Sequence, residues 1–161
     1  MSQKDFLDIV KENFGGRNVV KISKNDDYVL TLTFENKKNI IFSTHPLSVG
    51  ICLSERSLPE KEIITILKEN LCELILADCQ KLKDEPIFKF VFKGFSERTL
   101  VFEGLKRCAN ILLLDEDSNV LSEFVAIKVL PGTFILTSIT LSFTCPEFSN
   151  FKNTVVCKIL G

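Results

Sequence analysis

The chain has 161 residues, 20 basic and 21 acidic side chains, a net charge of −1 and an apolar fraction of 45%. That length holds one core and is short for two, so a single domain over 1–161 is expected, and the apolar fraction excludes a disordered polymer. The charges are spread as 7 basic and 6 acidic residues over 1–50, 8 and 9 over 51–100, and 5 and 6 over 101–161, which excludes a generally basic nucleic-acid binder and leaves room only for a local patch.

The opening stretch SQKDFLDIVKEN (2–13) places Phe6, Ile9, Val10 and Asn13 at helical spacing, with Ser2 as N-cap. Gly15-Gly16-Arg17 stops this helix, because glycine accepts the left-handed backbone of a helix C-terminus. Two alternating runs follow, VVKIS (19–23) and YVLTLTF (28–34). In the second, Val29, Thr31 and Thr33 face away from Leu30, Leu32 and Phe34, and Asn25-Asp26-Asp27 reads as the hairpin turn between the runs. NIIFST (39–44) and SVGICLS (48–54) predict two more strands, broken at His45-Pro46.

Ser57-Leu58-Pro59-Glu60 predicts a helix start, with Ser57 as cap, Glu60 closing a capping box and Pro59 in the first turn. Ile63, Ile66, Leu67 and Leu71 then give one apolar stripe through about Asn70. From Leu74 the pattern turns extended: ELILADCQ (73–80), IFKFVFKG (87–94), RTLVFEG (98–104), NILLLD (110–115) and VLSEFVAI (120–127), the last two joined by a DEDSN turn (115–119). Beyond Leu130-Pro131-Gly132, FILTSITLSF (134–143) alternates as a half-buried strand, and Thr154–Leu160 holds a further short strand. Two helices and about nine strands predict an α+β domain with mainly antiparallel pairing.

Fourteen Phe, one Tyr and no Trp make the aromatics core filler more than a stacking platform for bases. The six cysteines, at 52, 72, 79, 108, 145 and 157, contain no CxxC pair, and the single His45 cannot build a mixed Cys/His zinc site. No apolar run reaches the ~20 residues of a membrane span, and Lys4, Asp5, Asp8, Lys11 and Glu12 interrupt any leader. The expectation is a cytoplasmic protein with reduced, mostly buried thiols, no metal, no cofactor and no membrane partner.

Several strings in this order resemble the amino-terminal domain of the NFACT family, whose bacterial members are labelled fibronectin-binding protein A. They are Gly15-Gly16-Arg17 after the first helix, FSTHPLSVGICLS (42–54), ILKENLCELILADCQ (66–80), LKRCANILLLDEDSNVL (105–121) and Leu130-Pro131-Gly132. The resemblance is strongest over 1–132. It implies a two-layer β-rich domain with two flanking helices, similar to the N-terminal domain of the MutM-type DNA glycosylases. It also implies a role in ribosome-associated quality control, with the large ribosomal subunit stalled on peptidyl-tRNA, and tRNA itself, as partners.

On that resemblance Arg107 and Asn110 match the family's contact motif, while Lys106 replaces a Gly and Cys108 a His. The family's Asp-Arg pair for tRNA falls on Glu85 and Pro86, which keeps a carboxylate and lacks the cation. Read from the residues alone, Lys106 and Arg107 can reach phosphate oxygens and Asn110 backbone or sugar groups, or the three simply begin a strand. His45-Pro46 reads as structural, since a catalytic base needs a nucleophile or acid partner. The glycosylase chemistry needs an N-terminal proline amine beside a Glu, and Ser2-Gln3 supply neither, so no catalytic residue is assigned. Asp115-Glu116-Asp117 lacks the ligand spacing of a calcium loop. The expected function is a non-catalytic RNA- and ribosome-binding domain. The alternatives are a fibronectin-binding, adhesin-type interaction module or a structural half-domain of a longer protein.

Overall fold

A computed structural model of the chain describes residues 3–105, 108–124 and 155–156. Helix α1 (Gln3–Phe14) buries Phe6, Val10 and Phe14, one turn apart along a single stripe, and Ile9 packs beside them. It ends where the sequence predicts. Gly15 N–H reaches Lys11 O at 3.0 Å, Arg17 N–H reaches Phe14 O at 3.1 Å, and Gly16 between them has φ +74°, open only to residues that tolerate the left-handed region. The Ser2 cap lies outside the described residues.

Strands β1 (Val19–Lys24), β2 (Val29–Phe34), β3 (Asn39–Ser43) and β4 (Gly50–Ser54) form an antiparallel meander, and β10 (Val155–Val156) adds to β4 with Val155 opposite Leu53. All of β3 and β4 is buried, and Thr31 on β2 is 1% exposed. Burial of these polar groups is tolerated because they are paired: the Thr31 hydroxyl donates to Asn25 Oδ1 at 2.6 Å, and that of Thr33 to Asn39 Oδ1 at 2.6 Å. Alternation alone does not show this, since it treats each threonine as a solvent-facing position.

The second helix departs from the sequence reading. Helix α2 runs only from Thr65 to Leu71, has no side-chain cap, and buries Leu67 and Leu71 while Ile63 and Ile66 stay exposed. Residues 58–62 are held against the end of β1. Lys24 exchanges backbone bonds with Lys61 and Glu62, and the Asn25 amide donates to Pro59 O at 3.0 Å. These N–H and C=O groups are spent on β1, so the helix that Ser57 and Glu60 would cap does not start there. The same contact covers one end of β1, an edge strand.

The second sheet is a five-strand meander: β5 (Ile75–Lys81), β6 (Ile87–Lys93), β7 (Glu97–Glu103), β8 (Asn110–Leu114) and β9 (Val120–Glu123). The two sheets meet along one backbone joint, where Gly16 N–H bonds Leu76 O at 2.9 Å, Leu76 N–H bonds Arg17 O at 3.1 Å, Val19 N–H bonds Leu74 O at 3.0 Å and Glu73 N–H bonds Val19 O at 2.7 Å. Between them lies an aromatic core of eight fully buried phenylalanines. Phe42 of the first sheet stands edge-on to Phe90 at 5.3 Å and tilted on Phe102 at 5.7 Å, while α1 contributes Phe6 against Phe88 and Phe14 against Phe34. The architecture is the expected α+β, antiparallel, two-layer fold with two helices. FILTSITLSF, Leu130-Pro131-Gly132, Cys145 and Cys157 lie outside the described residues.

Phe42→Ala is expected to cost about 3–5 kcal/mol, the usual range for emptying a buried aromatic site, read by urea denaturation; a loss under about 1 kcal/mol would mean the sheets do not depend on this contact. Gly16→Ala is expected to cost about 1 kcal/mol through backbone strain alone, since no atom lies within 4 Å of an added methyl.

Candidate functional site

Two loops, 82–86 between β5 and β6 and 104–109 between β7 and β8, come together at one end of the second sheet because Ile87 pairs with Glu103 in the ladder. Gly104 N–H then donates to Pro86 O at 2.8 Å and ties the loops directly. In the first loop Leu82 N–H bonds Ile87 O at 2.9 Å, Asp84 takes φ +61°, and Glu85 is exposed. In the second, Cys108 N–H closes a turn on Leu105 O at 3.1 Å. Glu85 and Gly104 are therefore neighbours in space. Lys106 and Arg107 lie outside the described residues.

Asn110 opens β8 opposite Glu103 and is 4% exposed, with its Oδ1 accepting the N–H of Ile111 at 2.8 Å. That oxygen serves the start of the strand. Glu103 is the group that sequence reasoning missed. Burial pushes its carboxyl above the usual range, and the charge of Glu123 on β9 adds to the shift. The Cys108 thiol is raised by burial and then by Glu103, so it stays protonated and is a poor nucleophile. Only the strand register brings Glu103, Glu123 and Cys108 near each other, and no sequence spacing announces it.

The charge at this end follows directly. Asp84, Glu85, Glu103 and Glu123 stand against Lys83 and Lys81, whose Nζ donates to Leu82 O at 3.2 Å. Among the described residues the carboxylates outnumber the lysines here, with Lys83 exposed among them.

His45 and Pro46 lie in the first sheet, in the turn from β3 to β4. The imidazole Nδ1 accepts Leu47 N–H at 3.1 Å, and the ring stands edge-on to Tyr28 at 4.8 Å. In the β8–β9 turn, Asp115 Oδ1 accepts the N–H groups of Asp117 and Asn119, each at 2.9 Å, and these bonds, that of Asn119 first, hold its carboxyl below the usual range. The carboxylate is consumed by its own turn. Among the described residues no cluster of three or more His, Cys, Asp or Glu could hold a metal ion, and no helix is long and apolar enough to cross a membrane. One groove, about 360 Å³, runs past Lys24, Glu62, Ile63, Ile66, Glu123 and Phe124.

No family model matches the chain, and no curated protein does. Solved structures do. The N-terminal domain of fibronectin-binding protein PavA from Streptococcus pneumoniae superimposes with a TM-score of 0.74 at 16% identity, over 86% of this chain and 61% of that one. The N-terminal part of the fibronectin/fibrinogen-binding protein from Streptococcus suis gives 0.70 at 19% identity, over 84% and 60%. The fibrinogen-binding protein from Staphylococcus aureus gives 0.69 at 17% identity, over 86% and 56%. The chain shares their fold and spans about three-fifths of each.

Glu103 holds its proton more tightly folded than unfolded, so its contribution to stability is present below its ordinary value of 4.5 and is lost as pH rises through the raised value. Glu103→Gln is expected to raise the melting temperature at pH 7 and to lose that advantage below pH 4.5. Equal melting shifts at pH 4 and pH 7 would contradict this account.

Proposed function

We propose that residues 1–161 form one domain of the NFACT amino-terminal type, acting without catalysis in the cytoplasm as a binding module for the large ribosomal subunit stalled with peptidyl-tRNA. The observation that carries this reading is the shared fold together with the positions of the family-like strings. Gly15-Gly16-Arg17 caps α1, His45-Pro46 turns β3 into β4, and 105–121 spans the loop and hairpin beside the 82–86 loop. Lys106 and Arg107 are the contact residues in this reading, with Asn110 fixing the strand behind them. Glu85 keeps an acidic group in the tRNA position, and its neighbour Pro86 has no charge to offer a phosphate. The reading therefore assigns subunit binding to this chain more strongly than tRNA recruitment.

A second reading is favoured by one observation, that the matching solved structures are named as fibronectin- or fibrinogen-binding proteins. An acidic loop end suits a basic segment of a protein partner better than it suits RNA.

Co-sedimentation with stalled large subunits separates the two. Wild-type protein is expected to bind, with affinity falling roughly tenfold between 50 and 200 mM salt if two phosphates are contacted. Lys106→Glu/Arg107→Glu is expected to abolish binding while leaving the circular dichroism spectrum unchanged. Saturable binding to immobilised fibronectin, with none to subunits, would transfer the assignment to the second reading.

A further inference from the structure

We infer that the His45 imidazole is a proton-operated latch on the turn between β3 and β4, a device independent of the partner proposed above. Nδ1 accepts the N–H of Leu47 at 3.1 Å, so the ring is neutral there and carries its hydrogen on Nε2. A second proton has only Nδ1 to occupy. It would place an N–H against the N–H of Leu47, and the bond cannot survive. Pro46 has no N–H, so Leu47 supplies the only main-chain donor between His45 and Ser48, and the imidazole is what receives it.

The rest of the turn is built without the ring nitrogen. The Thr44 N–H and hydroxyl both donate to Tyr28 O at 2.8 Å, Ser48 N–H donates to His45 O at 2.9 Å, and His45 N–H donates to Ser43 Oγ at 3.4 Å. Protonation therefore frees the Leu47 N–H, while the Ser48 N–H to His45 O bond still closes the turn around Pro46 and Leu47. That turn is unusual in what it presents: Leu47 is 81% exposed, beside an exposed Pro46. The main-chain N–H behind this outward-facing leucine loses its acceptor when the ring is charged. His45 is only half-buried, so protons reach it.

The groups facing the ring are few. Tyr28 packs edge-on, Asp26 is engaged by Tyr28 N–H at 2.7 Å, and Asp27 is paired with Lys61 at 3.2 Å. Among the described residues no carboxylate bonds the imidazole, so the proton competes with the Leu47 N–H alone.

Amide exchange by NMR on the whole chain tests this, with the ring protons of His45 followed in the same samples. In the wild type the protection of the Leu47 amide, corrected for its intrinsic exchange, is expected to fall roughly fivefold in step with the ring titration while that of Ser48 holds. His45→Asn keeps an acceptor for the N–H two residues on and cannot titrate, so Leu47 should stay protected throughout. His45→Ala should leave it unprotected at every pH. Protection of Leu47 that ignores the ring titration, or an Asn variant that follows the wild-type pH curve, overturns the latch; the wild-type titration decides even if a variant fails to fold.

Discussion

Four backbone hydrogen bonds between residues 16–19 and 73–76 set the relation of the two sheets, and most other features follow from that joint. The second sheet and β1 to β4 of the first are meanders whose neighbours in sequence are neighbours in space, while β10 joins β4 from much further along the chain. Stacking the sheets also joins residues far apart in sequence. The joint aligns the start of β1 with the start of β5, satisfies edge groups that would otherwise face solvent, and aims both inner faces at one another. The phenylalanine core then locks the arrangement. Phe42 touches Phe90 and Phe102, residues 48 and 60 positions further along the chain, so the core rewards only the stacking that the joint permits.

The meanders were legible because their signals are local: alternation, turn residues and the glycine pair after α1. The failure over 57–64 is equally physical. Ser57, Pro59 and Glu60 form a sound local helix start, yet Lys24 and Asn25 compete for the same backbone groups and win by tertiary contact. Burial of Thr31 and Asn39 was hidden for a related reason, since each is made tolerable by a hydroxyl–amide pair that joins different elements. Among the described residues phenylalanine serves mostly as core filler, with Phe124 partly buried and Phe95, in the β6–β7 turn, 69% exposed.

The candidate site divides in the same way. Family-like strings lead to Lys106, Arg107, Asn110 and Glu85, and the fold brings Glu85 beside the loop that holds the others. The acids were not legible. Glu103 ends one strand and Glu123 another, and their proximity exists only once β7, β8 and β9 are in register. Asn110 shows the converse: its amide reads from sequence as a polar contact, while the strand start uses its oxygen first.

The described carboxylates at this end of the sheet limit what could lie against it. A broad basic patch binds any phosphate backbone, and its affinity is mostly counterion release. Glu85, Glu103 and Glu123 oppose such attraction at this end, with Lys81 and Lys83 beside them. A partner that places one or two anionic groups at Lys106 and Arg107, and neutral or basic groups over the carboxylates, avoids the repulsion. With no tryptophan in the chain, a single tyrosine packed on His45 and eight phenylalanines in the core, stacking on bases contributes little to compensate. What the described groups at this end of the sheet offer is therefore charge and shape.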